Sequence, residues 1–213
     1  ESGMTGAKEI QQGFMEGQIL LNLDSEDEGE LFIGCAGGID TVANYTFQPD
    51  ETPKLTTAFR VLVNGLVGGH SGDEIHKGLG NSIKILNRFL WEANKKFSLH
   101  ISCFSGGNLR NAIPRESWAN FVVSNDQAPE LEKFHSDFYQ IIKSEFAITE
   151  PNLGFSIEQF SHPESVLNKE FQEKLLNSIY TCPHGAISMS QEIPGLVETS
   201  TNLASIKFEE NTI

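Results

Sequence analysis

Apolar residues recur at intervals of three or four positions in three parts of the chain, the spacing that buries one face of an α-helix. The first predicted helix begins at Asp73, a residue type that caps helix N-termini, and continues to about Asn94. Its apolar positions are Ile75, Leu79, Ile83, Leu86 and Leu90. Two further helices are predicted at Ala128–Phe146 and Glu164–Tyr180. The chain should therefore contain at least three amphipathic helices that pack against other elements.

Shorter apolar or alternating runs between the helices have the length of β-strands. In chain order, the predicted strands are residues 18–23, 31–36, 41–47, 55–67, 97–104, 118–123, 154–160, 186–189 and 196–207. Several neighbouring strands are joined by short turns, which favours antiparallel pairing. The order of the elements therefore predicts an α+β fold, in which an antiparallel sheet carries helices on one face.

The first part of the chain differs in composition from the remainder. It is rich in glycine and contains an acidic run from Asp24 to Glu30, whereas the regular alternation of strands and helices begins only after residue 41. We therefore predict a domain boundary near residue 42, with residues 1–41 in one domain and residues 42–213 in a second.

The chain is acidic, with 29 Asp and Glu against 15 Lys and Arg among 213 residues and a formal net charge of −14. Nucleic acids and anionic membranes attract clustered basic side chains, so neither is expected as a partner. No apolar run approaches the roughly 20 residues that cross a bilayer, and no signal peptide is recognisable. The three cysteines are scattered and form no CxxC motif, which favours a reducing cytoplasm over a disulfide framework.

Asp24 directly follows the apolar run at residues 18–23. A carboxylate at the C-terminal end of a buried strand lies at the crevice where α/β proteins bind ligands, and its oxygens suit zinc as well as harder cations. Acidic runs are more often solvated loops. Asp24 is therefore a candidate metal ligand only in combination with other signals.

His70 lies in the glycine-rich turn Gly68–Gly72. Such a turn can hold the imidazole free to donate a hydrogen bond to a substrate oxygen, but the histidine can also simply cap the following helix. His76 lies six positions further on and does not share a helix face with His70. A local pair of zinc-binding histidines is therefore not expected.

A second polar turn, residues 105–115, carries Asn111 and Arg115 between two predicted strands. Amide and guanidinium N–H groups are suited to binding a carboxylate or a carbonyl oxygen. An asparagine in a turn often only satisfies its own loop. The residues alone leave both interpretations open.

Taken in order, five segments resemble the aminoacyl-histidine dipeptidases, bacterial members of a large family of metallopeptidases that use two zinc ions. These segments are Glu1–Ala7, Leu21–Glu30 followed by Gly34–Gly38, Gly68–Gly72, Asn111–Arg115 and Val197–Leu203. Each is short, but their shared order over nearly the whole chain is specific. The resemblance implies that residues 1–41 are a fragment of an α/β zinc-peptidase catalytic domain and that residues 42–213 form a ferredoxin-like lid and dimerisation domain.

The resemblance also implies roles for individual residues. Glu1 and Asp24 correspond to metal ligands, and His70 corresponds to the lid histidine that reaches the substrate, in many homodimers from the neighbouring subunit. Asn111 corresponds to a lid position that contacts the polar end of the dipeptide. Related dipeptidases often carry an arginine on the strand after the Asn–Pro segment, but Ser124 occupies that place here. Arg115, or a residue outside the chain, would then hold the substrate carboxylate.

The general base and the other metal ligands of that family have no counterpart in these 213 residues. The parent enzyme is expected to hydrolyse Xaa-His and related dipeptides with a zinc-activated water. The isolated chain is expected to be inactive and not to retain its zinc tightly. The alternative is a non-enzymatic ferredoxin-like module that dimerises or binds a small molecule, in which His70 only caps a helix.

Overall fold

The structure is a computed structural model that describes residue 6 and residues 9–21, 28–29 and 36–213. It divides into two compact units, Glu1–Val42 and Ala43–Ile213. Residues 18–21 form no strand, and the rest of the predicted strand at 18–23, together with nearly all of the one at 31–36, lies outside the described residues. The assignment of residues 1–41 to a catalytic domain stays a prediction.

A four-stranded antiparallel sheet organises the second unit. It consists of β2 (Thr56–Asn64), β4 (His100–Gly106), β6 (Ser117–Ser124) and β7 (Gly154–Gln159). Their order across the sheet is β4, β6, β2, β7. Their side chains alternate between two faces, so that Phe59, Val61 and Val63 of β2 are buried on the same face. This alternation provides the apolar surface on which the helices pack.

Three helices of the second unit contribute to the same apolar core as the sheet. They are α1 (Ser82–Phe97), α2 (Ala128–Glu145) and α3 (Lys169–Thr181). Helix α1 contacts β2, β4 and β6 and lies between the other two helices. At its centre the Phe89 ring is fully buried and contacts the rings of Phe134, Phe138 and Phe155. The predicted α+β fold with an antiparallel sheet is confirmed.

The remaining strands form three short antiparallel pairs. Strand β1 (Pro49–Glu51) pairs with β8 (Ser165–Leu167), β3 (Gly69–His70) with β5 (Ala112–Ile113), and β9 (Gly185–Met189) with β10 (Val197–Thr201).

None of the helices in the described part of the chain is long and apolar enough to span a membrane.

Two predicted boundaries are wrong. Helix α1 begins at Ser82 rather than after Asp73, because Asn81 provides the cap: its side chain accepts hydrogen bonds from two backbone N–H groups of the first turn. Helix α3 begins at Lys169, five residues after the predicted start at Glu164, because residues 165–167 form strand β8 and Asn168 caps the helix. The predicted strand at 41–47 is also wrong, since only an isolated bridge at Thr46 is present there.

Candidate functional site

Residues 65–80, which we call the His70 loop, connect strand β2 to helix α1. Strand β3 in this loop pairs with β5, so that His70 lies opposite Ala112. In addition, the Ser71 N–H donates a hydrogen bond to the Asn111 carbonyl at 2.9 Å. The two turns that the sequence analysis treated separately are therefore joined by backbone hydrogen bonds, which brings His70 and Asn111 together.

The His70 ring is half-exposed and its Nδ1 faces the turn that follows it. Nδ1 accepts hydrogen bonds from the backbone N–H of Gly72 at 3.1 Å and of Asp73 at 3.4 Å. A neutral ring that accepts at Nδ1 carries its hydrogen on Nε2, so Nε2–H is the donor available to a ligand. The Asp73 carboxylate lies 3.3 Å from Nδ1.

Glu74 ties the backbone of His70 to the first turn after it. The Glu74 carboxylate accepts from the His70 N–H at 2.9 Å and forms an ion pair with Lys77 at 3.0 Å. The backbone hydrogen bond from His70, followed by the Lys77 hydrogen bond and charge, lowers the pKa of Glu74. The Glu74 carboxylate therefore stays ionised to a lower pH than an ordinary glutamate and continues to accept from the His70 N–H.

Arg115 lies against the start of the same loop. Its Nε donates to the Leu66 carbonyl at 3.0 Å, and its aliphatic chain packs directly on Gly68. Gly68 has a φ of 67°, and a Cβ at that position would collide with the arginine side chain, so glycine is required there for two reasons. One guanidinium N–H is thus used inside the protein, and Arg115 has a structural task whatever it does toward a ligand.

Asn202 holds the other turn. Its Nδ2 donates to the Ala112 carbonyl at 2.8 Å and to the Arg110 carbonyl at 3.4 Å, the two residues on either side of Asn111. Asn111 itself is exposed. The backbone around the predicted substrate-binding asparagine is therefore fixed by a residue about ninety positions away, while its side chain faces solvent.

Glu1 and Asp24, the predicted metal ligands, lie outside the described residues. In the part of the chain that the structure describes, no group of three or more His, Cys, Asp or Glu residues could hold a metal ion. Ser124, which stands where related dipeptidases often carry an arginine, donates its hydroxyl to the Gln127 side chain at 3.0 Å, directly before helix α2. The described site is accordingly a polar loop cluster that contains His70, Asn111 and Arg115.

Three residues without a predicted role also bind the backbone of this cluster: Glu74, Glu150 and Asn202. Glu74 lies four positions after His70 and has a local signal in the sequence. Glu150 and Asn202 act across 70 to 92 positions, so only the folded chain reveals them.

Comparison with known proteins adds the context for this cluster. Residues 62–150 match a family described as the peptidase dimerisation domain. The chain is 37% identical over its whole length to the cytosol non-specific dipeptidase of Escherichia coli (strain K12), and it spans 44% of that relative's length.

A solved structure is also similar to this chain. The crystal structure of aminoacylhistidine dipeptidase from Vibrio alginolyticus matches the whole chain with a TM-score of 0.88 and 37% sequence identity, and the match covers 43% of that protein. His70, Asn111 and Arg115 all lie within residues 62–150, the segment that matches the family. Residues 62–150 are therefore similar to an M20 peptidase dimerisation domain.

Proposed function

We propose that this chain supplies the lid and dimerisation part of a metal-dependent dipeptidase that hydrolyses Xaa-His and related dipeptides. The observation that carries the proposal is the joining of the His70 and Asn111 turns through strands β3 and β5, inside a chain that is similar over its whole length to two dipeptidases. The hydrogen-bond donors of this site are suited to stabilise the oxyanion that forms when water adds to a peptide carbonyl.

His70 is the proposed donor to the scissile carbonyl. Its Nδ1 is occupied by backbone N–H groups, so Nε2–H can be directed at an oxygen that gains negative charge as water adds to the peptide carbon. A donor that strengthens as this charge develops stabilises the tetrahedral intermediate more than the substrate. The pairing of β3 with β5 and the Glu74 carboxylate fix the position of the His70 backbone, which carries the ring.

The M20 dipeptidases are metallopeptidases, and we propose zinc as the metal of this protein. Glu1 and Asp24 are proposed ligands on the basis of the motif resemblance, and carboxylate oxygens suit that ion. When bound, the metal would polarise the peptide carbonyl and lower the pKa of a bound water. The described residues would contribute only the lid side of the site.

Asn111 and Arg115 are the proposed contacts to the polar end of the dipeptide. Asn111 is exposed beside the β3–β5 ladder, so its amide can reach a ligand. Arg115 uses Nε for the Leu66 carbonyl, and the guanidinium has further N–H groups that could bind a carboxylate. The role of Arg115 is therefore proposed to be double, as a support of the loop and as a substrate contact.

We further propose a cytoplasmic homodimer. The match of residues 62–150 to a peptidase dimerisation domain supports self-association, and the name of one relative locates that protein in the cytosol. The alternative of a non-enzymatic dimerisation module shares the first of these features, so only an activity measurement separates the two proposals.

The test is hydrolysis of β-alanyl-histidine by the complete protein that contains this chain, before and after chelation and zinc restoration. We expect zinc-dependent release of histidine. The variant His70→Ala should lower kcat on the order of 10²- to 10³-fold with unchanged zinc content, because it removes an oxyanion donor.

His76→Ala is the matched control, since His76 is exposed in the same loop. Full activity of His70→Ala would exclude the proposed role of His70. A folded dimer that hydrolyses none of several dipeptides would instead favour the non-enzymatic module.

A further inference from the structure

A buried carboxylate closes the His70 loop at its base. Glu150 is only 3% exposed and lies in the turn between helix α2 and strand β7. One of its oxygens accepts from the Val67 N–H at 2.6 Å, and the other accepts from the Gly80 N–H at 2.6 Å. Val67 and Gly80 lie thirteen positions apart, on either side of His70. A single side chain therefore binds both stems of the loop.

The carboxylate itself has little freedom to move. The Glu150 N–H donates to the Phe146 carbonyl at 2.8 Å, and the Glu150 carbonyl accepts from the Leu153 N–H at 3.1 Å. Gly80 packs so closely that a Cβ at that position would meet Glu150 Cγ at 3.2 Å and Oε1 at 3.3 Å. The backbone of the loop at Gly80 and the side chain of Glu150 are therefore in close contact, with no space for a further carbon atom between them unless one of them shifts.

Only a carboxylate can make this contact at full strength. Two separate backbone N–H groups point at two oxygens, and the short distances are typical of charge-assisted hydrogen bonds. An amide of the same shape would offer one oxygen and one NH₂ group, so one backbone N–H would face another donor. A buried carboxylate is costly to desolvate, and here backbone N–H groups, rather than a Lys or Arg side chain, offset that cost.

The loop depends on such contacts because it has little regular structure of its own. Between Val67 and Gly80 the only strand is the two-residue β3, and the rest is turns and bends. Glu74 fixes the His70 backbone locally. Because Glu74 belongs to the same loop, it cannot fix the position of the loop relative to the sheet and the helices. The Glu150 contact joins the loop to the end of helix α2, which packs into the apolar core.

We propose that Glu150 is a positioning residue for His70: its carboxylate holds both stems of the His70 loop and, together with the β3–β5 ladder, sets the position of the imidazole. The structural part of this inference stands on the contacts above. Its consequence for catalysis rests on the proposed dipeptidase function. Substitution of Glu150 should therefore misplace a catalytic donor without touching substrate or metal.

The experiment is Glu150→Gln in the complete protein, with Glu145→Gln as the matched control. Glu145 is a partly exposed carboxylate at the end of helix α2, five residues before Glu150, and it pairs with Arg88. For Glu150→Gln we expect the Val67 and Gly80 amides to exchange with solvent about tenfold faster or more, because they lose their acceptor. We expect kcat on β-alanyl-histidine to fall roughly 10- to 100-fold, with KM changed by less than about threefold and zinc content and dimer unchanged.

A second variant covers the case in which Glu150→Gln does not fold. Gly80→Ala keeps the carboxylate but presses a methyl group against it. It should speed the exchange of the same two amides and lower kcat several-fold, again with little change in KM. Folded variants with faster amide exchange and wild-type kcat would overturn the positioning role, as would exchange rates that do not change at all.

The two proposals fail in different ways. If His70→Ala also retains full kcat, the proposed role of His70 falls, whereas faster exchange in Glu150→Gln would still support the structural part of the inference. If His70→Ala is inactive and both Glu150→Gln and Gly80→Ala are fully active, the dipeptidase proposal stands and the positioning role of Glu150 is wrong.

Discussion

The sheet and helix α1 are held together mainly by apolar side chains, whereas the His70 loop is held mainly by polar ones. Phe59, Val61, Val63 and Phe89 are all at most 1% exposed, and they pack within one continuous core. The loop depends instead on Glu150, Arg115 and Glu74, each bound to backbone groups. Apolar burial is large and non-directional, and polar contacts are smaller but fix positions. The core should therefore govern stability, and the polar contacts should govern the site.

Removal of a central core side chain should have the largest effect on stability. Phe89→Ala deletes a fully buried ring that contacts four other rings, three of phenylalanines and one of His135. We expect a loss of about 3–5 kcal/mol in the free energy of unfolding, measured by chemical denaturation. Ile141→Ala is the control, because Ile141 is 51% exposed on helix α2 and should cost less than about 1 kcal/mol. Equal losses in the two variants would contradict the core described here.

Acid should weaken the core through a buried histidine. His135 lies among the rings of Phe89, Tyr139 and Phe155, and burial lowers its pKa to about 4. The unfolded chain binds a proton as the pH falls through about 6.5, whereas the folded chain does so only near 4. The free energy of unfolding should therefore decrease between pH 6.5 and 4, by about 2 kcal/mol from this group after allowance for solvent screening.

His135→Phe tests this pH dependence. It keeps a ring in the aromatic cluster and removes Nε2, a buried nitrogen without a hydrogen-bond partner in the described structure. The variant should lose part of the decrease in stability between pH 6.5 and 4, while His76→Gln, at an exposed position, should retain it. His184, whose pKa is also lowered to about 4 by burial and then by Lys84, should continue to contribute. An unchanged pH profile in His135→Phe would argue against the assignment.

Asn81 caps helix α1 at the end of the His70 loop. Its removal should therefore change the free energy of unfolding less than a core substitution and more than a substitution in the loop. Asn81 accepts from the Ile83 and Lys84 N–H groups and donates to the Leu203 carbonyl at 2.9 Å. Asn81→Ala should lower the free energy of unfolding by about 1–2 kcal/mol. Asn81→Asp restores the cap but cannot donate to Leu203, and it should recover part of the loss. Thermal denaturation of both variants measures the difference.

The smallest effect on stability is expected at the loop itself. Asn202→Ala removes hydrogen bonds to the carbonyls of Arg110 and Ala112, and it should cost about 1 kcal/mol or less. Amide exchange in the β3–β5 ladder should nevertheless become faster, because the Asn111 turn loses its anchor. A large loss of stability with unchanged exchange in the ladder would reverse the comparison between core and loop.

Periodicity alone identified most elements of the second unit. Strand β6 matches the predicted strand at 118–123, and helix α2, Ala128–Glu145, matches the predicted Ala128–Phe146. The start of helix α1 could not be identified in this way, since Asp73 and Asn81 are both acceptable caps. Asn81 is the cap, and its side chain also donates a hydrogen bond to the carbonyl of Leu203, which lies far along the chain. The predicted helix began too early because Ile75, which fits the helical spacing, is buried in the His70 loop although it is not helical.

The site was predictable to the extent that its residues carry motifs. His70, Asn111 and Arg115 were identified from glycine-rich and polar turns and from their resemblance to a family, and their functional roles stay predictions. Their mutual arrangement was not available from spacing, because the β3–β5 pairing joins residues about forty positions apart. The proposed metal ligands Glu1 and Asp24 lie outside the described residues and stay untested as well.

The fold class and the resemblance to a dipeptidase family could be predicted from the sequence, because hydrophobic periodicity is local and short motifs keep their order along a chain. Only the tertiary structure revealed how the His70 loop is held. Glu150 reads as an ordinary surface glutamate in the sequence, yet it is buried against two backbone N–H groups at 70 and 83 positions' distance. Contacts between a side chain and a distant backbone leave no pattern in composition or spacing, since every residue except proline supplies an N–H. The fold alone decides which carboxylate meets them.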